Sequence, residues 1–331
     1  MMKADGGRKR VTRVFVTGGA GFIGSHICDR IQEMGHHVVC FDNLVTGFME
    51  NIEHLIGKEN FTFIKGDIRD RDAVQEGLER CTHVCHQAAL GSVPRSIEDP
   101  LRTNDINISG SLNVLVEAQR ISIRRFVFAS SSSVYGDNKE MPKVENNTGN
   151  VLSPYAVTKS AFEEYARVYH EIHGTRTIGL RYFNVFGPRQ SPKGGYAAVI
   201  PLFMDSLSKR KGPTIFGDGE QTRDFTYVQN AVDANILSLF GDVPSAFGRT
   251  LNVACGNTLS INRVYSEIHQ SMKEKLEIDS IEPIHGPSRS GDIKDSLADL
   301  SEVGRCLGYS PKISFTEGIE ETVSWFLSNK V

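Results

Sequence analysis

The pattern of apolar and polar positions divides the chain into two parts, and the first part alternates between strand-like and helix-like segments. The short apolar runs typical of buried strands are "RVFVTG", "HHVVCFD", "FTFIKGD", "THVCHQAA", "RRFVFASS" and "RTIGLRYFN". The segments with helical periodicity between them are "FIGSHICDRIQEMG", "RDAVQEGLER", "NISGSLNVLVEAQR" and "SPYAVTKSAFEEYARVY". This alternation predicts a parallel sheet that is covered by helices on both faces.

The pattern becomes less regular after about Asn184. A Pro/Gly-rich loop is followed by a helix near "AAVIPLFMDSLSKR", the segment "TIFGDGEQTRDFTYV", a strand "TLNVAC" and a C-terminal helix "FTEGIEETVSWFLSN". We therefore predict an α/β fold with a doubly wound parallel sheet in residues 13–184. A smaller α/β region, 185–331, is predicted to bind the substrate, and some of its segments are expected to pack as part of the first domain. Residues 1–12, polar and basic without an apolar signal core, are predicted to be a flexible tail.

Composition and charge exclude several classes of partner. The 331 residues are 39% hydrophobic and 23% charged, and the formal net charge is −3. A slightly acidic chain of this kind does not indicate binding to nucleic acid or to an anionic membrane. Because no apolar run approaches the roughly 18 residues that a membrane span needs, we expect a cytoplasmic protein.

The six cysteines are scattered, and several fall in strand-like runs, which is typical of buried free thiols in a reducing compartment. The segment "CTHVCHQAA" places Cys81, His83, Cys85 and His86 close together in sequence. Their spacing matches no common zinc pattern, and alternate residues of a strand face opposite ways. No metal site is predicted.

A glycine-rich turn joins the first predicted strand to the first helix. "FVTGGAGFIGSHI" carries Gly18, Gly21 and Gly24, which permit a tight turn, close approach of a pyrophosphate and packing of helix on strand. The pyrophosphate can then lie at the helix N-terminus. Asp42 ends the next strand, where a carboxylate binds the ribose 2′-hydroxyl of a dinucleotide, and no arginine follows it to accept a 2′-phosphate. NAD is favoured over NADP, and the neighbours Phe22, Ile23 and Asn43 join the predicted cofactor site.

A tyrosine and a lysine lie four residues apart in "LSPYAVTKSAFEEYA". Ser153 can cap a helix that begins at Pro154, so Tyr155 and Lys159 share one helix face. An ammonium beside a phenol favours the phenolate, which is a base. Two residues are weak evidence alone, because an ordinary surface pair would look the same.

The glycine spacing and the Tyr-x-x-x-Lys pair together resemble the extended short-chain dehydrogenase/reductase family. The similarity covers nearly the whole chain, in "QAA" at 87–89, "SSSSVYGD" at 130–137, "RYFNVFGPR" at 181–189, "GDGEQTRDFTYV" at 217–228 and "RSGDIKDSLAD" at 289–299. It implies a Rossmann-type domain and a homodimer. The further cofactor contacts that it implies are Asp67, Ile68, Gln87, Ala88 and Ala89.

The resemblance also implies the reaction. It gives catalytic roles to Tyr155, Lys159 and Ser131, whose hydroxyl would bridge the sugar 4-hydroxyl to the tyrosine, with Ser132 as a neighbour that shares this role. Related dehydratases carry Asp-Glu where Ser132 and Ser133 stand, and neither serine is a competent acid or base near neutral pH. Oxidation followed by re-reduction of the same carbon, which is epimerisation, is therefore favoured over dehydration.

The substrate side is similar to that of UDP-hexose 4-epimerases. The implied contacts are Asn184 at the diphosphate, Ala198 and Val199 at uracil, Phe216 stacked on it, Arg223 and Arg289 at the phosphates, and Asp292 at the ribose or an arginine. Guanidinium groups suit phosphate geometry.

The sugar pocket is expected to accept an N-acetyl group. Ser296 stands where galactose-type epimerases can have a tyrosine, and "ALGSVPRS" resembles the UDP-N-acetylglucosamine 4-epimerase subgroup, with Gly91 and Ser92 lining the pocket. The expected activity is NAD-dependent 4-epimerisation of UDP-N-acetylglucosamine for polysaccharide precursors, with NAD tightly bound and regenerated each cycle. The alternatives are the corresponding uronic acid, UDP-glucose/galactose, or a non-catalytic nucleotide-sugar-binding role.

Overall fold

The structure, a computed structural model of the chain, describes residues 11–192, 198–277, 279–288 and 295–329. The strands of the described part, in chain order, are Arg13–Thr17 (β1), His37–Asp42 (β2), Phe61–Lys65 (β3), His83–His86 (β4), Arg125–Ser131 (β5), Thr177–Tyr182 (β6), Val185–Phe186 (β7), Thr214–Phe216 (β8), Thr222–Asp224 (β9), Thr226–Tyr227 (β10), Arg249–Val253 (β11), Thr258–Ser260 (β12) and Ile284–Gly286 (β13).

The α-helices of the same residues cover both faces of the sheet and the second region. They are Phe22–Glu33 (α1), Arg71–Gly77 (α2), Val93–Glu98 (α3), Pro100–Asn104 (α4), Ser111–Arg120 (α5), Pro154–His173 (α6), Val199–Ser208 (α7), Val228–Phe240 (α8), Ile261–Leu276 (α9), Ser301–Leu307 (α10) and Phe315–Ser328 (α11). A π-helical turn, Asp105–Gly110, joins α4 to α5.

Seven of the strands form one parallel sheet in the order β11-β6-β5-β4-β1-β2-β3. The predicted doubly wound parallel sheet is confirmed. The chain leaves β1 towards β2 on one side and later enters β4 on the other, so a crevice opens at the carboxyl ends of β1 and β4. Strand β11 comes from the second half of the chain and forms one edge of this sheet. The predicted domain division at 184 and 185 stays a prediction.

Alternate strand residues enter two separate cores because successive side chains of a strand point to opposite faces. Val14 and Val16 of β1 belong to the core under α1 and α8. Phe15, between them, belongs to the core on the other face, with residues of α2, α5 and α6. A third core, formed largely by α7, α9 and α11, builds the second region. Ile23 packs against the first and the third cores and so joins the two regions.

Two long helices were missing from the sequence expectation. Helix α8 buries Asn230, Asn235 and Ser238 together with its apolar residues, so its sequence shows no clear polar face. Helix α9 has an apolar stripe and a cap, Ser260, whose side chain accepts from Arg263 N at 3.2 Å. These signals were sufficient to predict α9, and the sequence analysis left it unassigned.

The six cysteines are free thiols, and all except Cys255 are buried. Across the described ranges, no group of three or more His, Cys, Asp or Glu side chains is arranged to hold a metal ion. The same residues contain no helix that is both long enough and apolar enough to cross a membrane.

Candidate functional site

A cavity of about 420 Å³ lies at the carboxyl ends of the central strands. Its walls include most of the residues that the sequence assigned to the cofactor and to the reaction. The predicted residues that line it are Gly18, Gly21, Phe22, Ile23, Gly24, Asp42, Asn43, Ile68, Gln87, Ala88, Ala89, Gly91, Tyr155 and Lys159. The fold thus brings residues from the glycine turn, the ends of β2 and β4, and the start of α6 to one place.

The glycine turn leaves no room for side chains. Gly18 has φ +67°, and a Cβ on it would lie 2.7 Å from the Ala88 nitrogen. A Cβ on Gly24 would lie 2.1 Å from the Gly18 oxygen, so helix α1 packs directly on the turn. Helix α1 begins after Gly21 without a side-chain cap, which leaves its first N–H groups available to an anion. This cradle fits a pyrophosphate.

Asp42 lies at the end of β2, and backbone N–H groups hold its side chain in place. Its carboxylate accepts from Ala20 N at 3.0 Å and from Leu44 N at 2.8 Å. Burial raises the pKa of Asp42, and the two hydrogen bonds act in the opposite direction. The carboxylate remains at the cavity wall, where a ribose hydroxyl can donate to it.

Asp67 does not line this cavity, in contrast to its neighbour Ile68. Its carboxylate accepts from the Asn43 side chain at 2.9 Å and pairs with Arg69 at 2.9 Å. Hydrogen bonds from Arg69 hold the pKa of Asp67 well below its usual range. Asp67 is therefore joined to the cavity wall by its hydrogen bond with Asn43, and its contact with the cofactor stays a prediction.

Helix α6 begins beside the carboxyl end of β5 and presents the tyrosine and the lysine to the cavity. Ser153 caps it, accepting from Ala156 N at 3.2 Å, as the sequence predicts. The Tyr155 side chain is hydrogen-bonded to Ser131. Lys159 Nζ donates to the Ala129 carbonyl at 2.9 Å and lies 5.8 Å from the centre of the Tyr155 ring. The three predicted catalytic side chains are thus close neighbours.

Burial governs the pKa values of this group. Burial raises the pKa of Tyr155, and the hydrogen bond from Ser131 acts against the rise. Burial lowers the pKa of Lys159 to about 8, and the Glu163 carboxylate opposes that fall. In the protein alone the net shift of the tyrosine pKa is therefore upward, and a pKa-lowering effect of Lys159 on Tyr155 stays a prediction.

The serines at positions 130–133, at the end of β5 and just after it, make several different contacts. Ser131 accepts from Ser133 N at 3.2 Å, and Ser132 begins the 3₁₀ turn Ser132–Tyr135. Ser130, which has no role among the sequence predictions, lines the cavity and donates to the buried Glu163 carboxylate.

A second cavity of about 430 Å³ lies in the second region. The predicted residues that line it are Asn184, Val199, Phe216 and Arg223. Asn184 follows β6 by two residues and donates to the Asp224 carbonyl at 2.9 Å. Apolar walls come from Leu202, Phe203 and Phe225. A flat apolar wall beside an arginine suits a base joined to a phosphate.

Several predicted substrate residues do not line either of these cavities within the part of the chain that the structure describes. Ser92 caps α3 and accepts from Arg95 N at 3.3 Å. Ala198 is the residue before α7, and Ser296 is buried. Arg289 and Asp292 lie outside the described residues.

The first cavity is also lined by residues that are not among the sequence predictions, including Arg95, Ile106, Ala129 and Tyr182. Tyr182 donates to Gln87 Oε1 at 3.1 Å and accepts from Asn235 at 2.7 Å. Its place in "RYFNVFGPR" was the available signal. The signal for Arg95 was its place in "ALGSVPRS". Ile106 lies on the π-helical turn, and the family resemblance was the signal for it, but its apolar side chain at a position where relatives often have a polar residue left it out of the predicted contacts.

The chain matches known proteins over nearly its whole length. Residues 14–254 match the NAD dependent epimerase/dehydratase family. A UDP-N-acetylglucosamine 4-epimerase from Methanobrevibacter ruminantium M1, solved with UDP-N-acetylmuramic acid, is 41% identical with a TM-score of 0.90, over 96% of this chain and 99% of that one. A putative UDP-glucose 4-epimerase of Methanocaldococcus jannaschii is 37% identical over 96% of this chain and 99% of its own length. A Thermus thermophilus UDP-glucose 4-epimerase in complex with NAD is 34% identical with a TM-score of 0.85, over 97% of this chain and 100% of that one.

Proposed function

The chain belongs to the NAD dependent epimerase/dehydratase family, and from this premise we propose that it is a UDP-sugar 4-epimerase with UDP-N-acetylglucosamine as its substrate. The family depends on NAD, so NAD is the cofactor, as the sequence predicts. The observation that carries the proposal is the contact of Ser131 with Tyr155 beside Lys159, at the edge of a cavity that the glycine turn completes.

The first half of the reaction needs a base and a hydride acceptor. NAD, which the glycine turn and Asp42 would hold, would supply reversible hydride transfer at C4 of the sugar. Tyr155, as phenolate, takes the proton of the 4-hydroxyl, and Ser131 relays that proton because it is hydrogen-bonded to the phenol. The Lys159 ammonium, held by the Ala129 carbonyl, provides the positive charge that stabilises the phenolate.

The second half of the reaction reverses the first on the other face of the sugar. The 4-keto sugar turns about its diphosphate while Arg223 and Asn184 in the second cavity hold the nucleotide. Tyr155 then returns the proton to the oxygen at C4. Ser132 and Ser133 stand where related dehydratases carry an acid and a base, and neither serine hydroxyl can remove water near neutral pH.

The space beside the sugar supports an N-acetyl substrate. A Cβ on Gly91 would meet no atom within 4 Å, so the cavity wall there is open. Ser296, which the sequence placed beside the sugar, is buried outside the walls of both cavities, so its contact with the sugar stays a prediction. The homodimer, the cytoplasmic location and the supply of polysaccharide precursors stay predictions.

The corresponding uronic acid is the second candidate substrate, and Arg95 favours it. This half-buried side chain lines the same cavity as Tyr155 and Gly91. A guanidinium in a sugar pocket suits a carboxylate, such as that on C6 of a uronic acid.

Proton NMR of the C4 configuration distinguishes these substrates. Purified protein without added NAD is incubated separately with UDP-N-acetylglucosamine, its 6-carboxylate analogue and UDP-glucose. We expect conversion of the first to the galacto form. Conversion of the uronic acid alone would replace the proposed substrate, and no conversion with NAD supplied would contradict the proposed function.

Arg95→Met, compared with Arg102→Met on the exposed face of α4, tests the second candidate. A loss of turnover that is confined to the 6-carboxylate analogue supports a contact between Arg95 and the substrate carboxylate. An equal effect on both sugars would argue against it.

A further inference from the structure

We propose that Glu163 is a positioning residue for the reaction: it holds the end of β5 through Ser130 and supplies the buried negative charge that faces Lys159. The inference rests on the proposed function, because it assigns Glu163 its role through the lysine and serine that act there.

Glu163 lies one helical turn after Lys159 on α6 and is only 9% exposed. One carboxylate oxygen accepts from the Ser130 hydroxyl and from Arg181 Nε, the latter at 3.0 Å. The other accepts from Arg181 Nη2 at 2.7 Å. A two-point contact with a guanidinium fixes the orientation of the carboxylate.

The guanidinium of Arg181 also donates hydrogen bonds to other groups, so the Glu163 carboxylate has little freedom to turn. Arg181, on β6, is 6% exposed and donates to the Tyr135 hydroxyl at 3.1 Å and to the Glu145 carbonyl at 2.9 Å. Tyr135 donates in turn to Asn252 at 2.7 Å. The network therefore joins α6 to the last three strands at this side of the sheet.

Three consecutive residues at the end of β5 each contact a different side chain of α6. Ala129 accepts from Lys159, Ser130 donates to Glu163, and Ser131 is hydrogen-bonded to Tyr155. The middle contact, between Ser130 and Glu163, is made by a buried carboxylate whose two oxygens both accept hydrogen bonds. It fixes the spacing between helix and strand that the two outer contacts need.

The charge of Glu163 also acts on Lys159. Burial lowers the pKa of Lys159 and the Glu163 carboxylate raises it, since an opposite charge favours the ammonium. The other titratable groups that face the lysine are Tyr155, on the same helix, and His86, on β4. Burial and the nearby lysine lower the pKa of His86 to about 3, so this histidine is neutral.

Four variants separate the charge of Glu163 from its contact with Ser130. Glu163→Gln removes the charge, Glu163→Asp keeps the charge but shortens the side chain, and Ser130→Ala removes the partner hydroxyl. Glu164→Gln is the matched control. The Glu164 carboxylate is next to Glu163 in sequence, but it is 67% exposed and pairs with Arg167. The variants are compared by thermal unfolding, by kcat/KM against pH, and by a carbon-13 NMR titration of the Lys159 side chain, assigned with Lys159→Arg.

We expect Glu163→Gln to lower the pKa of Lys159 by about one to three pH units and to move the alkaline fall of kcat/KM with it. Glu163→Asp and Ser130→Ala are expected to leave that pKa near the wild-type value while kcat falls about 10- to 100-fold. Glu164→Gln should match the wild type in all three measurements.

A folded Glu163→Gln protein with the wild-type Lys159 titration would overturn the role of the charge. If Glu163→Gln does not fold, because Arg181 loses its anionic partner, Glu163→Asp and Ser130→Ala remain as tests. Wild-type kcat in both would overturn the positioning role. A wild-type protein without turnover on any UDP-sugar would contradict the proposed function, while the lysine titration would still test the inference on Glu163.

Discussion

The two cavities of this protein are built from different kinds of structure. The first lies at the ends of long, buried parallel strands such as β6, in which all six residues are buried. The second is walled by helix α7 and by strands of only three residues, β8 and β9. The first is lined by Asp42, Tyr155 and Lys159, each hydrogen-bonded within the protein, whereas the second combines apolar walls with Asn184, Gln221 and Arg223.

The difference between the cavities suits two separate roles, proton transfer in the first and nucleotide recognition in the second. Proton transfer needs groups held in fixed positions, and a parallel sheet fixes the carboxyl ends of its strands. Recognition of a nucleotide needs a surface that fits it, and short elements can form such a surface with fewer constraints. If this division is correct, changes in the first cavity should affect turnover or folding, and changes in the second should affect substrate affinity.

The largest effect is expected from Tyr155→Phe. Because the phenolic oxygen is the proposed base, kcat should fall about 10²- to 10⁴-fold. NAD should remain bound, as released nucleotide measured by chromatography would show. The control is Tyr165→Phe, an exposed tyrosine of the same helix, which should keep wild-type turnover. Near-normal kcat in Tyr155→Phe would exclude the tyrosine as the base.

Gly24→Ala should damage the first cavity through the backbone. The added methyl group would lie 2.1 Å from the Gly18 oxygen, so the turn and helix α1 must separate. Overpacking of this kind costs about 1–3 kcal/mol, and we expect a lower melting temperature and loss of retained NAD.

The control for this prediction is Gly304→Ala in helix α10. A Cβ there would lie 3.6 Å from the Tyr309 oxygen, an ordinary contact. Alanine favours a helix over glycine by up to about 1 kcal/mol, so the melting temperature should stay level or rise. Equal melting temperatures for Gly24→Ala and Gly304→Ala would contradict the tight packing of the glycine turn.

Arg223→Ala tests the second cavity. Loss of a charge-assisted hydrogen bond to a phosphate costs about 1.5–3 kcal/mol, which corresponds to a KM about 10- to 100-fold higher. The amount of NAD that stays bound to the protein should change little, and so should kcat. Arg263→Ala removes an exposed arginine paired with Glu267 and serves as the control. A fall in kcat without a change in KM would remove the distinction between the cavities.

The smallest effect is expected from pH. The Lys159 ammonium is present below its pKa of about 8 and is lost as the pH rises through that value. Turnover that depends on the ammonium should therefore be constant well below pH 8 and decline as the pH rises through that value, which a kcat/KM profile measures. A profile that stays flat to pH 10 would show that the charge of Lys159 is not required.

The sequence alone determined the parallel sheet, and it predicted which residues form the proposed NAD cleft and catalytic group. Buried parallel strands are short apolar runs, and the glycine turn, Asp42 and the Tyr155–Lys159 pair are local patterns whose spacing is written in the chain. Because strand ends meet at one edge of a parallel sheet, these local patterns also predicted which residues come together.

The tertiary structure decided the contacts between residues that are far apart in sequence. The pairing of Glu163 with Arg181 and Ser130 joins α6, β6 and β5, and the position of Arg95 in the cavity depends on how α3 packs. The apolar walls of the second cavity come from α7, β8, Phe225 between β9 and β10, and Ile261 at the start of α9. A sequence pattern reports which face of an element is buried, but the partner of a buried side chain is set only when separate elements pack together.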